Sequence, residues 1–162
     1  LILVTVGSSG FNRVVRLADE LRGEGRISSR LVVQGGRITY QPEHADDFFR
    51  FTSWERINEL NRQAECVISH AGAGCILTAL QYGTPFIAVP RLKELGEHNN
   101  NHQLEIAKKL ESDGKILVAN DKQELLACLK KIESGWKPKA GSKASGLVSD
   151  IESYVERCCG AV

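Results

Sequence analysis

A run of 25 residues without Asp, Glu, Lys or Arg, Cys66 to Pro90, constrains the fold more than any other part of the chain. Cys66 to Ser69 is short and apolar, which predicts a buried strand, and Ala73, Ile76, Leu77 and Leu80 follow the i, i+3, i+4, i+7 spacing of a helix. Gly83 fits the position just past a helix end and Pro85 forbids continuation, so Phe86 to Val89 reads as a second buried strand. Between the first strand and the helix lies a Gly-x-Gly turn, Gly72 and Gly74. Such a turn brings unpaired backbone N–H groups and the positive end of a helix dipole to a place where missing side chains let an anion come close. A phosphate is expected there.

The rest of the chain repeats the pattern. Leu1 to Val6 is an apolar run ending in Gly7-Ser8-Ser9-Gly10, and a helical spacing of Val14, Leu17, Ala18 and Leu21 follows. Leu31 to Val33 predicts a second strand closing at Gly35-Gly36, and Phe48 to Phe51 a short third. Thr52 to Glu55 has the form of a capping box for a helix with Ile57, Leu60 and Ala64 inward. After the central run, His102 to Glu111 reads as a helix, Ile116 to Ala119 as a strand, and Asp121 to Ile132 as a helix opened by Asp121-x-x-Glu124. Strands that do not alternate apolar and polar, separated by helices, imply a mainly parallel sheet covered on both faces. The expected fold class is therefore α/β: a Rossmann-like, doubly wound sheet of about six strands over residues 1–133. The loops at Gly7, Gly35, Phe51, His70 and Pro90 should share the carboxyl rim of that sheet, where such folds bind ligands. Residues 134–145, with Gly, Pro and repeated Lys, read as a flexible linker. In 146–162 the residues Leu147, Val148, Ile151, Tyr154 and Val155 share one helix face, which either packs back on the domain or docks a partner.

A chain of 162 residues favours one domain. With 21 basic and 20 acidic residues and no basic run, nothing favours nucleic acid or an anionic membrane as a broad electrostatic partner. Cys66, Cys75, Cys128, Cys158 and Cys159 have no Cys-x-x-Cys spacing and are odd in number, so no metal site and no disulfide framework is expected, and a cytoplasmic setting is. The uncharged run holds three glycines and two prolines, which makes it a poor membrane span.

The order His70-x-Gly72-x-Gly74, helix, Gly83-x-Pro85-x-x-x-x-Pro90, His102-Gln103 resembles the donor-binding signature of GT-B glycosyltransferases that use UDP-sugars. With Val4 to Gly7 and Ile68 to Gly72, it is especially similar to the soluble donor subunit of the two-subunit UDP-N-acetylglucosamine transferase acting on dolichyl-diphosphate-GlcNAc, to bacterial exopolysaccharide counterparts, and to the C-terminal half of MurG. The likeness spans roughly residues 1–132. It implies one half of a GT-B fold and an inverting, metal-independent hexosyltransferase. No cofactor is expected, and the UDP-sugar is the substrate.

That resemblance also implies roles. His70 would be catalytic, donating to the leaving β-phosphate; Gly7, Ser8, Ser9, Gly72, Ala73 and Gly74 would bind the diphosphate. Phe51, Thr52, Trp54 and Thr78 would lie against the uridine, with Trp54 equally suited to the core, and Asn101, His102 and Gln103 would reach the sugar. Gly-x-Gly turns also serve tight strand–helix packing, and Asn100 or Asn101 also suits helix capping. At Thr78 relatives usually carry a glutamate for the ribose, so here that contact is weaker. The acceptor half of a GT-B enzyme is missing from the chain, although Asp46, Asp47, Glu94 and Glu97 lie in loops from which a base could come. The implied partners are a membrane-associated acceptor-binding subunit, holding the chain at the cytosolic membrane face, and a lipid-linked saccharide. The other readings are a non-catalytic nucleotide-sugar-binding or assembly module and a UDP-sugar epimerase fragment.

Overall fold

The computed structural model describes residues 1–139. Six strands, β1 (Ile2–Thr5), β2 (Leu31–Gln34), β3 (Asp47–Phe49), β4 (Cys66–Ser69), β5 (Phe86–Ala88) and β6 (Leu117–Val118), pair in the order β3-β2-β1-β4-β5-β6, every pair parallel. Four helices connect them, α1 (Asn12–Gly23), α2 (Trp54–Gln63), α3 (Ala73–Gln81) and α4 (His102–Ser112), and α5 (Lys122–Glu133) follows β6. This is the Rossmann-like, doubly wound α/β sheet expected from the sequence. Its strand order reverses direction between β1 and β4.

Both faces are covered, which is why the strands read as unbroken apolar runs. Val4, Leu31, Val33, Ile68 and Ile87 point to one side, against Val14, Ala18 and Leu21 of α1 and Leu125 and Leu129 of α5. Leu3, Val32, Val67 and Phe86 point to the other, against Leu60 of α2, Ile76 and Ala79 of α3, and Ala107 and Leu110 of α4. Each fully buried Leu, Ile or Val contributes about 1.5–3 kcal/mol. Between the two layers the sheet has little freedom to shift its loops.

Three details differ from the sequence reading. The cap of α2 is Ser53, not Thr52: its side chain accepts from the Arg56 N–H at 3.3 Å, one residue later than the expected box. At α5, Asp121 caps as expected, accepting from the Glu124 N–H at 2.8 Å, but Glu124 turns back to the Asn120 N–H. Strand β3 starts and stops earlier because Asp46 accepts from the Leu31 N–H and the Arg22 guanidinium, while the carbonyls of Phe49 and Arg50 already belong to Gly35 and Gly36 at the rim.

Ser134 to Lys139 of the expected linker lie on the domain. The Trp136 ring packs against the core, the Trp136 backbone N–H donates to the Lys131 carbonyl, and the Lys139 backbone N–H donates to the Gly114 carbonyl. The remainder of that linker, the helix of 146–162, Cys158 and Cys159 lie outside the described residues. Among the described residues no helix is long and apolar enough to cross a membrane.

Candidate functional site

The crevice at the reversal of strand order is flanked by the loop after β1, Val6 to Phe11, and the turn after β4, His70 to Gly72. Open α/β sheets bind ligands at this position. Both loops feed helices whose first N–H groups receive no side-chain cap: Phe11 at α1 and Gly72 at α3 offer none, and neither first turn carries an acidic residue. By contrast α2 and α5 are capped by Ser53 and Asp121 and carry Glu55 and Glu124 in their first turns. Ser8, Ser9, Gly10 and Gly74 are exposed. Uncapped donors and unopposed dipoles therefore face solvent from two sides of one crevice.

Gln34, at the end of β2, fixes the first loop. Its Oε1 accepts from Thr5 Oγ1 at 2.7 Å and the Gly7 N–H at 3.1 Å, and its Nε2 donates to the carbonyls of Gly7 and Arg50. Gly7 has φ 67°, and a Cβ on Gly36 would stand 2.4 Å from the Gly7 carbonyl oxygen. The loops after β1, β2 and β3 thus interlock.

His70 belongs to the same assembly. The Ser69 hydroxyl donates to the Thr5 carbonyl, and Ser69 Oγ lies 3.2 Å from His70 Nδ1. A hydroxyl has one proton, already given to Thr5, so Nδ1–H must be the donor and Ser69 the acceptor. Neutral His70 therefore carries its lone pair on Nε2. That nitrogen faces Gly72, where a Cβ would come within 2.4 Å of it. Neutral His70 is an acceptor at this turn, and it becomes the donor expected from the sequence only after gaining a proton.

Burial first, then the charges of Arg91 and His98, pull His70 down to about 4 from the ordinary 6.5. Between those values the unfolded chain binds more protons than the folded one, so this contribution to stability is complete above pH 6.5 and is lost as pH falls toward 4. Acidification from pH 7 to 4 is expected to cost roughly 2–3 kcal/mol at this group. Thermal unfolding checks it: the wild type should lose more stability than His70→Gln over that range, and a pH-independent gap would contradict the assignment.

The remaining expected residues divide. Gln103 is brought to the crevice, its Oε1 accepting from the Arg91 N–H at 3.2 Å. Asn101 is occupied: Oδ1 accepts from the Lys93 N–H and Nδ2 donates to Glu94, bracing the 3-10 turn Lys93–Leu95. His102 opens α4, its N–H bonded to Asn100 Oδ1, the capping alternative in part. Phe51 and Trp54 are 60% and 64% exposed, so Trp54 is not a core residue, and with Thr52 they leave β3 on the same rim. Thr78 is buried and its hydroxyl donates to the Gly74 carbonyl at 2.8 Å, within its own helix.

None of the four candidate carboxylates stands free in the crevice. Asp46 and Asp47 are at the amino end of β3, paired with Arg22 and Arg30. Glu97 is clamped by Arg13 through two 2.8 Å bonds, and Glu94 takes Asn101. A cavity of about 130 Å³ lined by Ile2, Arg26, Ile27 and Glu65 also lies at the amino ends of the strands, away from the ligand-binding rim of such sheets. Sequence reasoning missed Gln34 and Arg91. The available signals were a polar residue closing an apolar strand and the first charge after the uncharged run.

Comparison with known proteins bears on the family and the fold. The model of the glycosyltransferase family 28 C-terminal domain matches residues 1–150. The UDP-N-acetylglucosamine transferase subunit ALG13 of Homo sapiens is 34% identical over 125 residues, covering 71% of this chain and 10% of the relative. The protein of the same name from Yarrowia lipolytica is 31% identical over 132 residues, covering 75% of this chain and 65% of the relative. The chain thus spans about a tenth of the human relative's length. Among solved structures, the NMR structure of ALG13 superposes with a TM-score of 0.61 at 22% identity, covering 90% of this chain and 91% of that one. Acinetobacter baumannii MurG does so at 0.57 and 20%, covering 83% and 41%. These two likenesses concern the fold.

Proposed function

The chain belongs to the family of glycosyltransferase family 28 C-terminal domains, and from that premise we propose that it is the donor-binding part of an inverting glycosyltransferase. Its donor is a UDP-sugar, UDP-GlcNAc or a related hexose. A membrane-associated partner brings the lipid-linked saccharide acceptor to the cytosolic membrane face. The observation that carries the reading is the pair of uncapped helix starts, α1 and α3, meeting across the reversal of strand order beside His70. The names of the relatives supply the nucleotide sugar.

In this reading the acceptor hydroxyl oxygen attacks the anomeric carbon while the bond from that carbon to the β-phosphate oxygen breaks. UDP leaves with the electron pair, and the hydroxyl proton passes to a base on the acceptor-binding partner. The N–H groups of Gly72 to Gly74 and the dipole of α3 stabilise the charge that develops, and they are fixed in place before the reaction. His70, neutral in the free chain, adds a donor at Nε2 once the charge of the bound diphosphate favours its protonation, and Gly7, Ser8 and Ser9 close over the phosphates from the other side. Phe51, Thr52 and Trp54 meet the uracil, Gln103 the sugar with His102 beside it, while Asn101 supports the turn.

Amide NMR titration with UDP-GlcNAc tests the site. Shifts at 7–10, 51–54 and 70–75 are expected; shifts confined to the amino ends of the strands would overturn it. Gly74→Ala separates packing from ligand approach, because a Cβ there meets nothing within 4 Å. The variant should gain up to about 1 kcal/mol of helix stability in thermal unfolding while losing UDP affinity. Unchanged UDP affinity would place Gly74 outside the site.

A further inference from the structure

Arg91 follows β5 and is 6% exposed, yet among the described residues no carboxylate pairs with it. Its guanidinium donates to the Ser9 carbonyl at 2.9 Å and to the Val6 carbonyl at 3.4 Å, and it lies over the Phe11 ring at 5.3 Å. Its Nε is buried with no acceptor among the described residues. Glu97, the carboxylate whose field reaches it, is already held by Arg13 and by the Leu92 N–H. Burying a cation against neutral carbonyls alone is costly, and an anion bound beside the loop that Arg91 holds would offset that cost through its field.

The place of the charge says which anion. Val6 and Ser9 belong to the loop that opens α1, and the Arg91 charge is felt at His70 and Cys75, on the turn and first turn that open α3. We propose that Arg91 is the positioning residue of the anion site: it ties the Gly7–Gly10 loop in place and sets a fixed positive charge behind both glycine turns, for a diphosphate. The inference rests on the nucleotide-sugar reading and adds to it a residue that selects the diphosphate over the nucleoside. A purely structural Arg91 would act through the loop alone and leave the His70 titration where it is, whereas an electrostatic one shifts that titration as it selects UDP over uridine.

The test compares wild type, Arg91→Met and Arg91→Lys by calorimetry with UDP, uridine and inorganic pyrophosphate, and follows the His70 ring proton by NMR. Arg91→Met should weaken UDP and pyrophosphate at least tenfold, change uridine less than twofold, and raise the His70 pKa toward its ordinary value. Arg91→Lys keeps the charge without the fork, so it should restore the His70 titration and part of the preference for UDP; it also serves if the Met variant does not fold. A UDP-to-uridine ratio unchanged in both variants, or equal weakening of both ligands in Arg91→Lys, overturns the proposal. Wild type that binds pyrophosphate but not UDP would sink the nucleotide reading while leaving the anion site; wild type that binds neither sinks both.

Discussion

Gly72→Ala is expected to abolish measurable UDP binding while leaving the sheet folded. Gly72 has φ −81°, so no unusual backbone conformation demands glycine there. What demands it is space: an added Cβ would stand 2.4 Å from His70 Nε2 and 2.9 Å from Cδ2. The ring cannot swing away without breaking its Nδ1–H bond to Ser69, which is tied in turn to Thr5 of the neighbouring strand. The turn must move instead, carrying the first N–H groups of α3 off the phosphate. Losing two hydrogen bonds to a charged group costs roughly 3–5 kcal/mol, a few hundredfold or more in Kd. Calorimetry with UDP, beside thermal unfolding to confirm the fold, measures it. Affinity within threefold of wild type would contradict the placement of the diphosphate.

The second expected result is larger. The isolated chain should bind its donor yet transfer sugar at least about a thousandfold more slowly than the same chain with an acceptor-binding partner, since orientation and an excluded solvent are worth up to about 7–11 kcal/mol. Ser8, Ser9, Gly10 and Gly74 are open to water. Asp46, Asp47, Glu94 and Glu97 are all engaged by other groups, so none of these four is poised to take the acceptor's proton. A radiolabelled-sugar assay with a lipid-linked acceptor decides it. Turnover by the isolated chain at a rate no partner raises would defeat the reading. Tight UDP binding with no transfer under any pairing would favour the assembly-module alternative.

The strand, turn and helix of Cys66 to Gln81 were legible because local rules and burial agree there: an apolar strand, glycines at the turn, a 3.6-residue spacing and a Gly–Pro stop. Long-range polar bonds left weaker traces. Gln34 reads as the polar end of a strand, and only the fold shows its amide gripping Thr5, Gly7 and Arg50. Arg91 reads as a surface charge until Val6, Ser9 and Phe11 close over it. Trp136 sits among linker-type residues, and its large apolar ring outweighs their composition by packing on the core. Asp46 and Asp47 carry the right chemistry for a base but start their strand, at the end of the sheet away from the crevice. The tautomer of His70 depends on a serine proton given to a strand 64 residues away in sequence.

The most direct test of the central claim is calorimetry of the full chain with UDP and with UMP, both in EDTA. The account predicts binding without added metal and a clear preference for UDP, because the unpaired N–H groups of α3 and the charge behind them select the second phosphate. Equal affinity for the two nucleotides, or binding that appears only when Mg²⁺ is restored, would contradict it.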